Sequence, residues 1–231
     1  MDLSLVVPCY NEEARLPQSL AVASGFLAAR GATFELILVD DGSTDGTGAA
    51  IRQAERERPN VRAVLLLPNR GKGRALAEGV KASQGDLVLL SDADFSTPID
   101  ELPKLEESIA AGADVAFGSR AAPGAREVDQ PLHRRAMGKA FNRMVQVLLL
   151  PGIWDTQCGF KLFRGAVARG LFAELETDGF AFDVEILHRA RRAGYRIREV
   201  PVRWINSGAS KVSPVQASAE MLRDLLRIRF G

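Results

Sequence analysis

The sequence predicts an α/β protein with a mostly parallel central sheet and helices on both faces. Short apolar runs alternate with segments of helical spacing as far as residue 118, and polar turns bearing glycine or proline punctuate them. Repeated strand–helix–strand units of this length lay successive strands parallel and cover both faces of the sheet. A pair of carboxylates stands just past one apolar run, at the sheet edge where open α/β folds bind ligands.

The elements follow in order. Leu3–Val7 is an apolar strand that stops at Pro8, and Glu12–Arg30 carries Leu16, Leu20, Phe26 and Leu27 at helical spacing. Phe34–Val39 is a strand, Asp40-Asp41-Gly42-Ser43-Thr44-Asp45 a polar turn, and a helix runs from there to about Arg58. Val61–Leu67 is a strand, Gly73–Ser83 a helix and Asp86–Leu90 a strand. Ile99–Ala111 is a helix with Pro103 in its first turns, where proline is tolerated. Asp114–Gly118 is a further strand. Beyond it the pattern loosens. A loop at Ala121–Pro131 precedes a helix near Leu132–Leu149, a second helix spans Phe182–Ala193, Arg196–Val200 is a strand, and Pro214–Arg229 is a last helix.

The 231 residues are enough to bury a sizeable core. With no internal repeat, low-complexity tract or sharp composition break, residues 1–231 read as one domain. A hydrophobic share of 46% and a charged share of 26% place the chain among ordinary globular proteins. Its net charge of +1 hides an asymmetry: residues 1–119 carry 11 Lys and Arg against 18 Asp and Glu, and residues 120–231 carry 19 against 11. An acidic first half suits a cation, and a basic second half suits phosphate or an anionic membrane surface. Nucleic acid is not an expected partner, and the sequence fixes no oligomeric state.

Cys9 and Cys158 have no metal-ligand spacing and cannot staple a fold of this size, which points to a reducing compartment. The chain enters a strand at once, without a leader pattern, and no apolar run reaches the roughly 18 residues that span a bilayer. The longest, at residues 145–150, ends at Pro151-Gly152. The expected location is cytoplasmic, peripheral on the cytosolic face of a membrane.

Asp92 and Asp94 are the first chemical signal. Two hard oxygen donors two residues apart, directly after a buried strand, suit Mg²⁺ or Mn²⁺ bridged to a diphosphate, which supplies the remaining ligands. Other candidates fail. A P-loop ending at Gly71-Lys72 needs Gly at 66 and Ser or Thr at 73, where Leu66 and Gly73 stand. A dinucleotide fingerprint needs glycine at 76, which is Leu76. His133 and His188 have no partners for a hydrolytic triad, and His188 reads as a packed helical residue.

Val7-Pro8-Cys9-Tyr10-Asn11-Glu12-Glu13, Val39-Asp40-Asp41-Gly42-Ser43-Thr44-Asp45, Asn69-Arg70-Gly71-Lys72-Gly73 and Ser91-Asp92-Ala93-Asp94 together resemble the family 2 glycosyltransferases. That resemblance implies the GT-A (Rossmann-like) fold and a nucleotide-sugar donor. Each motif follows a predicted strand, so the four loops converge on one sheet edge. Gly118-Ser119-Arg120, Asp155-Thr156-Gln157-Cys158-Gly159-Phe160-Lys161, Phe180-Ala181-Phe182-Asp183-Val184-Glu185, Glu199-Val200-Pro201-Val202 and Ser210-Lys211-Val212 are similar to the polyprenyl-phosphate branch. Asp94-Phe95-Ser96-Thr97-Pro98 leans to its glucosyl members, because the mannosyl ones typically place a metal-binding Gln where Ser96 stands.

The resemblance implies an inverting transfer of glucose from UDP-glucose to a polyprenyl (dolichyl or undecaprenyl) phosphate. GDP-mannose as donor, or a soluble acceptor, remains the alternative. Asp40 is implied at the uracil ring, with Pro8, Tyr10, Asn11 and Glu12 lining the base and ribose pocket. Asp92 is implied at the ribose or the metal, Asp94 on the metal itself, and Ala93 against the donor. Lys72 is either a point charge near the diphosphate or uracil, or a solvated loop lysine. Arg120, Arg134 and Lys211 are candidates for holding the lipid phosphate, with Arg135 and His133 adjoining. Gln157 is expected on the diphosphate side, and Asp183 and Glu185 either bind the transferred sugar or brace the arginines. The final helix, with Val215, Met221, Leu222, Leu225, Leu226 and Phe230 beside Arg223, Arg227 and Arg229, is expected either to meet the membrane or to dock on the core. Residues 1–119 thus form the nucleotide and metal half, and residues 120–231 the acceptor half.

Overall fold

The structure is a computed structural model that describes residues 1–128, 132–206 and 214–230. Its first half alternates strand and helix: β1 (Leu3–Cys9), α1 (Leu16–Ala29), β2 (Phe34–Asp41), α2 (Thr47–Glu57), β3 (Val61–Leu66), α3 (Lys72–Ala82) and β4 (Leu87–Leu90). A single 3₁₀ turn at Ile99–Glu101 leads into α4 (Leu102–Ala110), and β5 (Val115–Ser119) follows. The second half holds β6 (Arg126–Val128), α5 (Leu132–Leu148), β7 (Lys161–Arg164), α6 (Gly165–Ala173), α7 (Phe182–Arg192), β8 (Ile197–Pro201), β9 (Arg203–Ile205) and α8 (Pro214–Phe230).

One seven-stranded sheet runs β3-β2-β1-β4-β7-β5-β8, parallel except for β7, which is antiparallel to both β4 and β5. Strands buried on both faces read as unbroken apolar runs, and here alternate residues feed separate cores. Leu3, Leu5 and Val7 of β1 and Leu89 of β4 join Leu16, Leu20, Ile51 and Leu105 from α1, α2 and α4 on one face. Val6, Val88 and Leu90 join Leu76, Phe172 and Leu187 from α3, α6 and α7 on the other. The sheet therefore carries helices on both faces, and the loops after β1, β2, β3 and β4 share its carboxyl edge.

Five elements depart from the sequence expectation. Lys161–Arg164 is a strand of four residues, and α6 begins directly after it. β6 and β9, three residues each, form a separate parallel ribbon in which Val128 faces Ile205. Helix α1 starts at Leu16, after a tight turn in which Glu12 accepts from the Arg15 and Leu16 N–H groups, so Glu12–Arg15 belongs to the loop. Among the described residues, no helix is long and apolar enough to cross a membrane.

Helix α8 is docked. Leu225 is fully buried in the second core, Ile228 packs against it, and Arg227 pairs with Glu176 at 3.1 Å. The apolar stripe expected to face a membrane is therefore divided: Leu225 turns inward while Leu226 and Phe230 stay 45% and 80% exposed. The docked alternative holds for the first of these residues and leaves the second pair outward.

Candidate functional site

The first two loops of the sheet edge are bolted together by short polar side chains. Asn11 adopts a φ of +55°, which asparagine tolerates because its side chain bonds locally. Its N–H donates to Ser43 Oγ at 2.9 Å, and its Oδ1 accepts from the Thr44 N–H at 2.8 Å. The Glu12 N–H donates to Thr47 Oγ1 at 2.7 Å, and Glu13 accepts from the Gly46 N–H at 3.0 Å. The Glu12 carboxylate is itself held by the Arg15 guanidinium at 2.6 and 2.7 Å. Pro8 and Tyr10 remain accessible at the rim, Tyr10 with 42% of its surface exposed.

The two aspartates ending β2 divide their work. Asp40 is buried and accepts from the Ser43 N–H at 3.1 Å. Asp41, which had no role in the sequence reading, accepts from the Arg70 and Gly71 N–H groups at 2.8 and 2.9 Å. It thereby orders the loop before α3. Gly42 lies at φ +70°, and a Cβ there would stand 2.5 Å from the Asn69 nitrogen, so no other residue fits. The glycines flanking Lys72 have a different cause. The Gly73 N–H donates to the Asp178 carbonyl at 2.7 Å, and a Cβ on Gly71 would meet that oxygen at 2.5 Å. The 177–179 segment thus caps the first turn of α3 and occupies the place where a P-loop would cradle phosphate.

That capping aims Lys72 at Asp92: Nζ donates to Oδ1 at 2.5 Å, with both side chains partly exposed. Burial resists both charges, yet the pairing wins, holding Asp92 below the ordinary carboxylate range and Lys72 above the ordinary amine range. Lys72 is therefore neither a solvated loop lysine nor unengaged. Asp94 accepts from the Ser96 N–H at 2.9 Å, and Ala93 between the two carboxylates is buried. Phe95 takes a φ of +44°, a region that costs a residue with a Cβ roughly 1–2 kcal/mol. A Cβ on Gly159 would strike the Asp92 carboxylate, so that glycine leaves its oxygens room. Among the described residues, no three His, Cys, Asp or Glu side chains converge. A divalent cation held by these two aspartates would complete its shell from a diphosphate, as Mg²⁺ commonly does. The residues fit that group.

Arg120 also lies near enough to Asp92 for its positive charge to help hold that carboxyl ionised. Arg120 grips the buried Asp155 through Nε at 2.7 Å and Nη2 at 2.8 Å, and its guanidinium lies 5.5 Å from the centroid of the Trp204 ring. Burial opposes the Asp155 charge, but Arg120 overrides it and holds the carboxyl below its usual range. Glu199 in turn accepts from the Asp155 and Trp154 N–H groups at 2.8 and 3.0 Å. Gln157 reaches α8, its amide lying 4.0 Å from Met221 Sδ.

The β6–β9 ribbon ties this side to the loop after β4. The Ile205 N–H donates to the Ser96 carbonyl at 2.8 Å, and Arg203 pairs with Asp100 at 2.8 Å. The first turn of α5 carries His133, Arg134 and Arg135 with their side chains outside the described part, and Lys211 lies outside the described residues.

Beneath Asp92, Lys161 lies buried in the middle of the sheet, bonded to the Cys158 carbonyl at 2.5 Å and to Asp183. Lys72, Asp92, Lys161 and Asp183 form a cluster of alternating charge, each aspartate feeling both lysines. Burial nonetheless pushes the Asp183 carboxyl above its ordinary range. Glu185 accepts from the Glu176 and Thr177 N–H groups at 3.0 and 2.8 Å and from Arg189 at 2.6 Å, so it braces an arginine and the segment that caps α3. Sequence reasoning gave Lys161, Asp41 and Trp204 no role. A lysine inside an apolar run, Phe160-Lys161-Leu162-Phe163, was the available signal for the first.

Comparison with known proteins places the chain in a family. The sequence model of glycosyl transferase family 2 matches residues 4–172. The chain is 36% identical over 241 residues to dolichyl-phosphate beta-glucosyltransferase of Dictyostelium discoideum, covering 99% of this chain and 74% of that protein. Against the Homo sapiens protein of the same name it is 37% identical over 242 residues, covering 99% and 75%. Among solved structures, glucosyl-3-phosphoglycerate synthase from Mycobacterium tuberculosis with Mn²⁺, UDP-glucose and phosphoglyceric acid superposes with a TM-score of 0.68 at 20% identity, over 98% of this chain and 78% of that one. At that identity the likeness carries the fold alone. By its four ordered loops, its sheet and these matches, the chain belongs to glycosyl transferase family 2.

Proposed function

We propose that the chain transfers glucose from UDP-glucose to a polyprenyl phosphate, inverting the anomeric centre, with Mg²⁺ or Mn²⁺ at Asp94 and Asp92. The observation that carries this reading is the identity of 36% and 37% to dolichyl-phosphate beta-glucosyltransferases over 99% of this chain, joined to a site where Asp92, Asp94 and Arg120 share one sheet edge. Pro8, Tyr10, Asn11, Glu12 and Asp40 hold the nucleoside in this reading, and Ala93 closes the pocket floor. When bound, the cation offsets the charge that develops on the departing diphosphate. Lys72 keeps Asp92 ionised for that role. The acceptor phosphate, with a second pKa of about 6, is already largely dianionic at neutral pH. It needs positioning and charge compensation rather than a general base. Arg120, Arg134 and Lys211 supply that charge, and Gln157 braces the same side against α8.

The test is transfer of radiolabelled glucose into an organic phase. UDP-glucose with polyprenyl phosphate and Mn²⁺ or Mg²⁺ is expected to give labelled lipid, with chelator abolishing it and GDP-mannose giving far less. Label moving only to a soluble acceptor such as 3-phosphoglycerate, or GDP-mannose as the better donor, would overturn the reading.

The lipid acceptor also asks for a membrane-facing surface, and α8 offers one. Arg223, Leu226, Arg227 and Phe230, at helical spacing on one outward face, combine exposed apolar and basic groups. The double substitution Leu226→Ser/Phe230→Ser is expected to weaken binding to anionic vesicles at least about tenfold, since each side chain contributes up to about 1.5–3 kcal/mol when buried. The melting temperature should change little, because both residues are already outside the core. Unchanged vesicle binding would move the membrane contact elsewhere. Removing α8 outright is the weaker test, since Leu225 belongs to the core.

A further inference from the structure

We propose that Phe95 is the positioning residue for Asp94: its ring, wedged between α1 and the sheet, holds the turn after β4 in the left-handed conformation that aims the Asp94 carboxylate. This rests on the reading of Asp94 as a ligand of the donor's divalent cation.

The backbone gives the first reason. Only two described residues other than glycine have positive φ, Asn11 and Phe95. Asparagine visits that region readily, whereas a bulky aromatic residue does so only where its surroundings enforce it. The enforcing contact is visible. Phe95 packs against the core on the α1 face of the sheet, where it closes a small apolar void lined by Leu5, Val7, Leu16, Leu20, Leu36 and Leu38. These residues belong to β1, β2 and α1, so the ring is anchored to three elements that flank the nucleotide-side loop.

Hydrogen bonds carry the constraint from ring to carboxylate. The Phe95 N–H donates to the Asp92 carbonyl at 3.1 Å, closing the turn. The next N–H, on Ser96, donates to Asp94 Oδ1 at 2.9 Å, and the Ser96 carbonyl accepts from Ile205. A rotation about the Phe95 backbone therefore moves the donor that orients Asp94 and pulls against β9. Glycine at this position would relieve the strain and remove the wedge, leaving the turn free to sample other conformations. Tightly built loops lose function on small displacements of their reacting groups. The ring thus trades local strain for a fixed carboxylate.

The experiment compares Phe95→Gly, Phe95→Leu and Asp94→Asn with the parent chain. Mn²⁺ binding in the presence of UDP is followed by the electron paramagnetic resonance signal of free Mn²⁺, alongside kcat and KM for UDP-glucose. Phe95→Gly should weaken Mn²⁺ binding about tenfold and lower kcat more than it raises KM, as expected of a misplaced ligand. Phe95→Leu, which keeps an apolar wedge, should stay within about threefold of the parent on both readouts. Parent-like Mn²⁺ binding in Phe95→Gly, with Asp94→Asn weakened, would overturn the proposal alone. Parent-like binding in Asp94→Asn would overturn the ligand reading beneath it. Should the glycine variant fail to fold, a loss in Phe95→Leu as large as that in Asp94→Asn would overturn the wedge, because its anchor is retained.

Discussion

Asp94→Asn is expected to lower sugar transfer by at least about 10³-fold, some 4 kcal/mol of transition-state stabilisation, while the fold survives. The amide is nearly the same shape, and its oxygen can still accept from the Ser96 N–H that holds Asp94 now. The turn after β4 therefore keeps its shape. What disappears is a full negative charge at the carboxyl edge of the sheet, where a cation bridging a diphosphate draws on very few protein ligands. Asp92→Asn makes a useful contrast. It leaves Lys72 without the carboxylate it now pairs with at 2.5 Å, so that variant should lose stability as well as activity. Steady-state rates with saturating metal, beside thermal melts, separate the two. An Asp94→Asn enzyme retaining more than about a tenth of the parent rate, a loss below about 1.4 kcal/mol, would remove Asp94 from the metal.

The first half of the fold was legible because its strands are mostly apolar runs closed by polar turns, β1, β2 and β4 being largely buried and β3 lying half-exposed at the sheet edge. Leu3–Val7, Phe34–Val39 and Val61–Leu67 needed nothing beyond their own residues to be placed, and their order forces the loops to one edge. The second half resisted because its strands draw their definition from neighbours. Lys161–Arg164 has two apolar residues between two charged ones, a pattern of no period, and becomes a strand only by filling the gap between β4 and β5. The three-residue β6 and β9 exist only as partners for each other. The same reason hid the side-chain pairings. Asp92 and Asp94 announce themselves by spacing, but Lys72 finds Asp92 across 20 residues because a distant segment caps α3. Periodicity on α8 likewise marked its apolar positions without telling which would pack, since Leu225 and Leu226 are adjacent in sequence and opposite in fate.

Lys161 carries the largest expected effect on stability. Lys161→Met should destabilise the protein by about 3–5 kcal/mol at neutral pH, because it strands Asp183 as an unpaired charge in the interior. Lys161 is buried, is bonded to Asp183 and the Cys158 carbonyl, and sits opposite Leu90 and Phe117 in the middle of the sheet. Burial already raises the Asp183 carboxyl above the ordinary aspartate range even with Lys161 in place. Without the lysine it must rise further, and the sign of the pH effect follows. A carboxyl whose folded pKa lies above its unfolded one binds more protons when folded, so stability falls as pH climbs from the unfolded value toward the folded one. The variant should therefore lie near the parent around pH 4. It should fall behind by up to about 1.4 kcal/mol per pH unit above that, until Asp183 ionises in the folded state. The double variant Lys161→Met/Asp183→Leu removes both charges and should recover most of the loss, as apolar replacements of buried ion pairs often do. Denaturant unfolding at several pH values reads all three chains. A pH-independent penalty for Lys161→Met, or a double variant no better than the single one, would mean that lysine packing, and not charge, is what the sheet requires at this position.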